Sequence, residues 1–388
     1  MLLFDATHTS HSHAQTGIQR VCRSLFTELT KTEPVTGICH DPYLKAWRPL
    51  NAGELRRMQP GRPAADTRGS SWSLRQRLSG RTRRWLGAAP PLPEAHGLIC
   101  PEFFSAKVGS KLPEILPQIA GPRVALFYDA IPLQFPELTP PGTVARFPAY
   151  LRELLLFDGV AAISEASASC LRGYWRWLGV SNPPPVRAIP LAISPNHPVT
   201  AAQHPGPPRV LCVSTIEGRK NHLALLAGCE VLWAEGAEFE LQLVGMGRAD
   251  TAGLALAKMT ELQRAGRPLL HLDTADDAEL HVAYAQAAFT VYPSLIEGFG
   301  LPVLESLQHG KPCICSNQGA LGESIPGGGC VGLASVDASH LAGAIRRLLQ
   351  NPAELAALAA QARTRKFKMW PDYVRELTAW MATLPRRA

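Results

Sequence analysis

The 388-residue sequence lacks any apolar run near the roughly 18 residues that a membrane span needs. Its richest stretch, Leu154 to Ile163, is short and contains Asp158, so transmembrane helices are excluded. No charged and apolar leader is read at Met1 to Asp5, so a cytoplasmic protein is expected, with a peripheral position on the inner membrane face as the alternative. CxxC pairs are missing too. The nine cysteines, an odd number, lie scattered through apolar stretches, the pattern of reduced thiols and not of disulfides or zinc. Charged residues make up only 18% of the chain, but 46% hydrophobic content is that of ordinary globular domains and excludes a disordered or fibrous chain. There is no Ser/His/Asp set with a nucleophile elbow. Leu243-Val-Gly-Met-Gly247 resembles a dinucleotide fingerprint but lacks its third glycine, which argues against a nicotinamide dehydrogenase.

What is present is a local excess of positive charge. The net charge is +7, yet Lys45 to Arg84 alone carries +9, with Trp47, Trp72 and Trp85 interleaved. Residues 45–95, rich in Arg, Pro and Gly, read as an insertion or flexible excursion. Around it, short apolar strands alternate with amphipathic helices. The first helix, Thr16 to Lys31, carries a Thr16/Gln19 capping box. Alternation runs through about 190 residues, halts at the proline-dense stretch from Ala192 to Pro208, and restarts at Val210. The expected architecture is α/β: a Rossmann-like domain over 1–195, a second over 205–368, and a closing helix within 371–388 that packs back on the first. Two doubly wound sheets would place a ligand cleft between their carboxyl ends.

The richest motif runs from Tyr292 to Glu305 as YPSLIEGFGLPVLE. Pro302 suits a first helical position, so the amides near Gly298, Phe299, Gly300 and Leu301 would point from a helix N-terminus at an anion such as phosphate. Glu297 and Glu305 flank that point, and a carboxylate can grip two neighbouring sugar hydroxyls. After the second domain's first strand, Arg219 and Lys220 form a cation pair suited to a diphosphate leaving group, or an ordinary surface pair. In Thr16-Gly-Ile-Gln-Arg-Val21, Gly17 would let phosphates approach the first helix or serve as a packing glycine. His8, His11 and His13 read as a polar cleft loop, and Asp273, Asp276 and Asp277 as a helix cap; neither group reads as a metal site. Trp175 and Trp177 read as core and interface residues.

These residues resemble retaining glycosyltransferases of family 4. Glu297 to Glu305 is similar to their paired-glutamate motif, and Arg219-Lys220-Asn221 to their basic loop. Leu243 to Gly247 and Ile163-Ser-Glu165 are also similar to the family. Thr16 to Val21 and Tyr128-Asp-Ala-Ile-Pro132 resemble its bacterial mannosyltransferases of O-antigen and exopolysaccharide assembly. The resemblance implies a GT-B fold, a nucleotide-sugar donor in place of any cofactor, and metal-independent transfer with retention. It implies that Glu305 holds the ribose, Glu297 the donor sugar, and Arg219 and Lys220 the diphosphate, with Gly17 and Gly245 also on the donor. Many relatives carry a His where this chain has Tyr128, so that contact would pass to Asp129 or Tyr128. GDP-mannose is the expected donor, with other UDP-, GDP- or dTDP-sugars or a sugar-nucleotide epimerase as alternatives. The expected partners are a polyprenyl-diphosphate-linked saccharide and an anionic membrane surface that the basic segment meets; no nucleic acid is expected.

Overall fold

The computed structural model describes residues 1–12, 14, 17–59, 71–195 and 204–387. Thr16 and its capping box, His13, Arg62, Asp66, Arg68 and Pro198 lie outside the described residues. The chain divides into two compact units, Met1–Ala192 with Met369–Ala388, and Ile193–Lys368.

Unit 1 is built on a seven-stranded sheet of β1 (Leu2–Asp5), β2 (Val35–Asp41), β3 (Ala46–Pro49), β4 (Gly97–Cys100), β5 (Arg123–Phe127), β6 (Gly159–Ala162) and β7 (Val186–Ala188), in the order β3-β2-β1-β4-β5-β6-β7. All neighbours are parallel except the β2–β3 edge pair. β1, β4, β5 and β6 are buried along their whole length, as parallel strands covered on both faces must be, which explains why they are apolar apart from Asp5 at the end of β1 and Arg123 at the start of β5. Its main helices are α1 (Gly17–Thr32), α2 (Ala52–Arg57), α3 (Leu74–Trp85), α4 (Pro141–Glu153) and α5 (Glu165–Trp177). Trp175 is buried in the core while Trp177 faces solvent.

The basic excursion is more ordered than its composition suggested. Its described part holds β3, α2 and α3, and it begins beside β2, a strand that the apolar pattern did not reveal. Arg48 is not a surface cation: it is buried, donating to Asp41 at 2.9 Å and to both oxygens of Glu54 at 2.8 Å. Trp47 is buried and Trp72 stacks on the His11 ring at 3.7 Å, so of the three tryptophans only Trp85 is strongly exposed. Paired charges and stacked rings let a segment that looks polar on paper fold against the sheet.

Unit 2 carries a fully parallel sheet of β8 (Arg209–Val213), β9 (Glu240–Val244), β10 (Leu269–Leu272), β11 (Phe289–Tyr292), β12 (Cys313–Ser316) and β13 (Cys330–Leu333), ordered β10-β9-β8-β11-β12-β13. Around it run α6 (His222–Ala234), α7 (Ala249–Arg264), α8 (Asp277–Gln286), α9 (Leu301–Gln308), α10 (Ala338–Gln350) and α11 (Pro352–Thr364). The final helix, α12 (Trp370–Met381), belongs to unit 1. There Met381 and Trp380 reach Gly97 and Gly159, where an added Cβ would meet them at 2.6 and 2.9 Å. Both sheets are doubly wound, the arrangement of the GT-B fold. Their strand order reverses at β1/β4 and at β8/β11, and at such points the carboxyl ends open a crevice. All nine cysteines are free thiols. No helix among the described residues is long and apolar enough to cross a membrane.

Candidate functional site

The crevice of unit 2 is lined by the loops after β8 and β11. They are fastened together: the Leu295 amide donates to the Arg219 carbonyl at 2.9 Å, and the Ser294 hydroxyl reaches the same carbonyl. Asn221 adopts a left-handed conformation, φ 57°, and its side-chain amide donates to the carbonyls of Pro293 and Val336 at 3.2 and 2.8 Å. It pins the basic turn Gly218–Lys220 to two other loops.

Held this way, Arg219 and Lys220 converge on Glu297. Lys220 Nζ donates to Oε1 at 2.5 Å, and Arg219 donates to Oε2 at 2.8 Å. Oε1 also accepts from the Tyr292 hydroxyl at 3.0 Å and from Ser294. Burial alone would raise the Glu297 carboxyl, but Lys220 and Arg219 outweigh it and hold the group at about 2. For Lys220 burial dominates, and its ammonium is pulled below the usual range despite Glu297. Arg219 has a second carboxylate partner, Glu217, at 2.8 Å. His222, directly behind, is pushed down to about 3 by burial and by Lys220, so its imidazole is neutral, with Nε2 3.2 Å from the Ser214 hydroxyl. The result is two cations fixed in the crevice, which a diphosphate would meet already oriented. In this structure both Glu297 oxygens accept from these cations.

Glycine is required at the head of α9. Gly300 has φ 99°, and a Cβ there would lie 2.5 Å from Leu321. Pro302 sits in the first turn as expected, Phe299 and Leu301 are half-buried, Gly298 is buried, and Glu305 lies half-buried one turn into the helix. Gly245, φ 145°, has a packing duty: a Cβ would sit 2.2 Å from the Ser214 carbonyl oxygen, so the β9 end can approach β8 only with glycine.

Unit 1 places the remaining candidates. Tyr128 and Asp129 follow β5. The Tyr128 hydroxyl donates to the Pro101 carbonyl at 2.7 Å, which commits its proton to the backbone. Asp129 accepts the Ile131 amide at 3.0 Å. Gly17 is exposed at the start of α1, and a Cβ there would meet nothing within 4 Å among the described residues, so their packing does not demand glycine. At the β1/β4 switch lies a cavity of about 660 Å³ whose walls include Asp5, His8, His40, Tyr43, Trp72 and Glu102. Glu102 accepts the His8 and Thr9 amides at 2.7 and 2.6 Å, fixing the loop after β1. Burial and then Glu102 push the Asp5 carboxyl well up. His40 is 5% exposed, and its Nε2 is buried without a hydrogen-bond partner among the described residues.

His11, Cys39 and Glu54 each place one potential ligand atom within 4.8 Å of the others. Glu54, however, is engaged by Arg48, His11, Gln76 and the Asn51 amide, a donor set in which a guanidinium supplies the positive charge. Asp276 caps α8 in a capping box with Glu279, and Asp273 accepts the Gly247 amide at 3.2 Å.

Sequence reasoning missed the roles of Tyr292, Ser294, Asn221, Glu217 and His222, and in unit 1 those of Asp5, His40 and Glu102. Ser294 and Tyr292, three and five residues before Glu297, were the nearest available signal.

Residues 207–351, which lie within unit 2, match the family model "Glycosyl transferases group 1". The chain is 27% identical over 342 residues to the serotype-specific mannosyltransferase WbdA of Escherichia coli, covering 81% of this chain but only 38% of that protein. It is 31% identical over 159 residues to the O-antigen chain mannosyltransferase B of Escherichia coli, covering 40% of this chain and 41% of that one. Among solved structures, sucrose-phosphate synthase of Thermosynechococcus elongatus superposes with a TM-score of 0.68 at 18% identity, covering 98% of both chains. Anabaena HepE in complex with UDP and glucose superposes with a TM-score of 0.65 at 14% identity, covering 99% of both. At these identities the structures speak to the fold alone.

Proposed function

We propose that the chain is a retaining glycosyltransferase that moves mannose from GDP-mannose to a saccharide carried on a polyprenyl diphosphate, in the synthesis of a bacterial surface polysaccharide. The observation that carries this is the Arg219–Glu297–Lys220 cluster beside the glycine-headed helix α9. The printed names of the two Escherichia coli relatives supply mannose and O-antigen.

In this reading the donor diphosphate meets Arg219 and Lys220, sharing them with Glu297, while Glu305 accepts from the ribose hydroxyls. The bond from the anomeric carbon to the diphosphate breaks as negative charge grows on the leaving oxygen. The two cations stabilise that charge in place of a metal. The acceptor hydroxyl attacks the same face and passes its proton to the departing phosphate, so retention needs no protein nucleophile. Unit 1 receives the acceptor. Its cavity offers Trp72 and Tyr43 as apolar faces among the polar side chains of Asp5, His8 and Glu102, the mixture that suits a sugar ring. The basic stretch within Lys45 to Arg84 holds the enzyme at an anionic cytoplasmic membrane face.

The test is thermal unfolding and donor hydrolysis across a panel of nucleotide sugars. GDP-mannose at about a hundred times its Kd should stabilise the protein by about 2.7 kcal/mol and be slowly hydrolysed. Stabilisation by UDP- or dTDP-sugars with none by GDP-mannose would overturn the donor assignment.

A further inference from the structure

Helix α3 has two dissimilar faces. On one, Gly80 is buried, with a built Cβ lying 2.8 Å from the Tyr43 Cβ; Arg77 and Arg81, exposed at the border of the other, reach back so that their guanidinium groups lie over the Tyr43 ring at 5.8 and 5.7 Å. Gln76 adds a hydrogen bond to buried Glu54 at 2.9 Å. These contacts fix the helix to unit 1 and determine what it shows outward.

The outward face is apolar. Leu74, Leu78 and Trp85 are 74%, 62% and 84% exposed, and Leu86 just past the helix end is 62% exposed. At 3.6 residues per turn, Leu74, Leu78 and Trp85 fall within about 40° of arc and make one stripe. Five arginines and no acidic residue share these twelve positions, and all five are exposed, with Arg75, Arg83 and Arg84 making no contact to Tyr43. A stripe of leucine and tryptophan bordered by arginine is the pattern of a helix lying in a lipid interface. A polyanion such as RNA would satisfy the arginines but leave Leu74, Leu78 and Trp85 in water. Together the two features fit an anionic bilayer.

We infer that α3 is the membrane-docking element of this protein, seating Leu74, Leu78 and Trp85 among the acyl chains while its arginines meet anionic headgroups. This deepens the reading that the acceptor is lipid-borne, and it narrows the docking surface from the whole basic segment to a single helix.

The experiment is sedimentation of the full chain with phosphatidylcholine vesicles, with and without phosphatidylglycerol. Three proteins are compared: wild type, an R75Q/R83Q/R84Q variant and an L74S/L78S/W85S variant. Wild type should bind only the anionic vesicles. The arginine variant should bind about a hundredfold more weakly, each cation near the surface contributing about a fivefold factor. The serine variant should bind at low salt but be released near 1 M salt, where the Debye length is about 3 Å, whereas wild type is partly retained there. Equal binding to both vesicle types, no loss in the arginine variant, or identical salt release of the serine variant and wild type would each overturn the inference. So would heparin capturing the serine variant and wild type equally while neither binds vesicles. Transfer to a water-soluble saccharide, measured in parallel, should be unchanged in both variants. Vesicle binding with no transfer by wild type defeats the functional reading alone, and transfer without vesicle binding defeats the docking alone.

Discussion

Glu297 bridges Lys220 and Arg219, taking one cation on each carboxylate oxygen at 2.5 and 2.8 Å. Removing one member of a buried ion cluster leaves the others uncompensated and costs roughly 3–5 kcal/mol. Glu297→Ala should therefore lose about 3 kcal/mol in urea unfolding, and GDP should restore more stability to this variant than to wild type by giving the cations a new anion. The carboxyl is held at about 2 against an ordinary 4.5, so its contribution is present above about 4.5 and lost as pH falls toward 2. The stability gap between wild type and Glu297→Gln should close on acidification; a gap constant from pH 7 to 2 would contradict the clamp.

Lys220 and Glu305 should separate in kinetics. Leaving-group charge develops in the transition state, so Lys220→Ala should mainly lower kcat, by about a hundredfold or more. Ribose contacts are the same in ground and transition states, so Glu305→Ala should mainly raise the donor KM. Activity should survive excess chelator, because Arg219 and Lys220 take the place of a metal. Strict magnesium dependence, or identical effects of the two substitutions, would refute the assignment.

Gly300→Ala should be severe for its size. A φ of 99° and a 2.5 Å approach to Leu321 would both be charged to the methyl group, costing about 2 kcal/mol and tilting the head of α9. Adding Leu321→Ala should relieve the clash but not the backbone strain. A fully stable single variant with normal donor affinity would show that the turn is not so constrained.

Much of this was legible in the sequence because the strands are short, apolar and bounded by turn residues. β9, β10 and β11 fall at the positions their patterns gave, and the Glu297 to Glu305 spacing carried the helix head. The clamp itself was hidden. Tyr292 is also a strand residue, Ser294 looks like loop filler, and Asn221 acts through Val336, 115 positions away. In the basic segment, Arg48 and Arg84 are the same letter, yet one is locked between Asp41 and Glu54 and the other is exposed. Only tertiary pairing distinguishes them, which is also why β2 and β3 escaped a reading based on composition.

His40 offers a test of the acceptor side. The ring lines the cavity, its Nε2 is buried with no hydrogen-bond partner among the described residues, and burial, followed by Lys111, pulls its imidazole below the usual range. His40→Phe keeps a ring against Trp47 and removes an unpaired polar atom, so the free protein should be as stable or up to about 1 kcal/mol more stable. Because His40 lines the cavity, the acceptor KM should nevertheless rise, by up to about tenfold if the exposed edge of the ring makes one hydrogen bond to the acceptor. Marked destabilisation with unchanged acceptor KM would assign His40 to the core alone.

The central claim is tested most directly by product analysis: incubating the protein with GDP-α-mannose and a lipid-linked saccharide, then determining the anomeric configuration of the new linkage by NMR. The account predicts transfer of mannose with an α-linkage, the configuration of the donor. A β-linked product, or transfer only from a different nucleotide sugar, would contradict it.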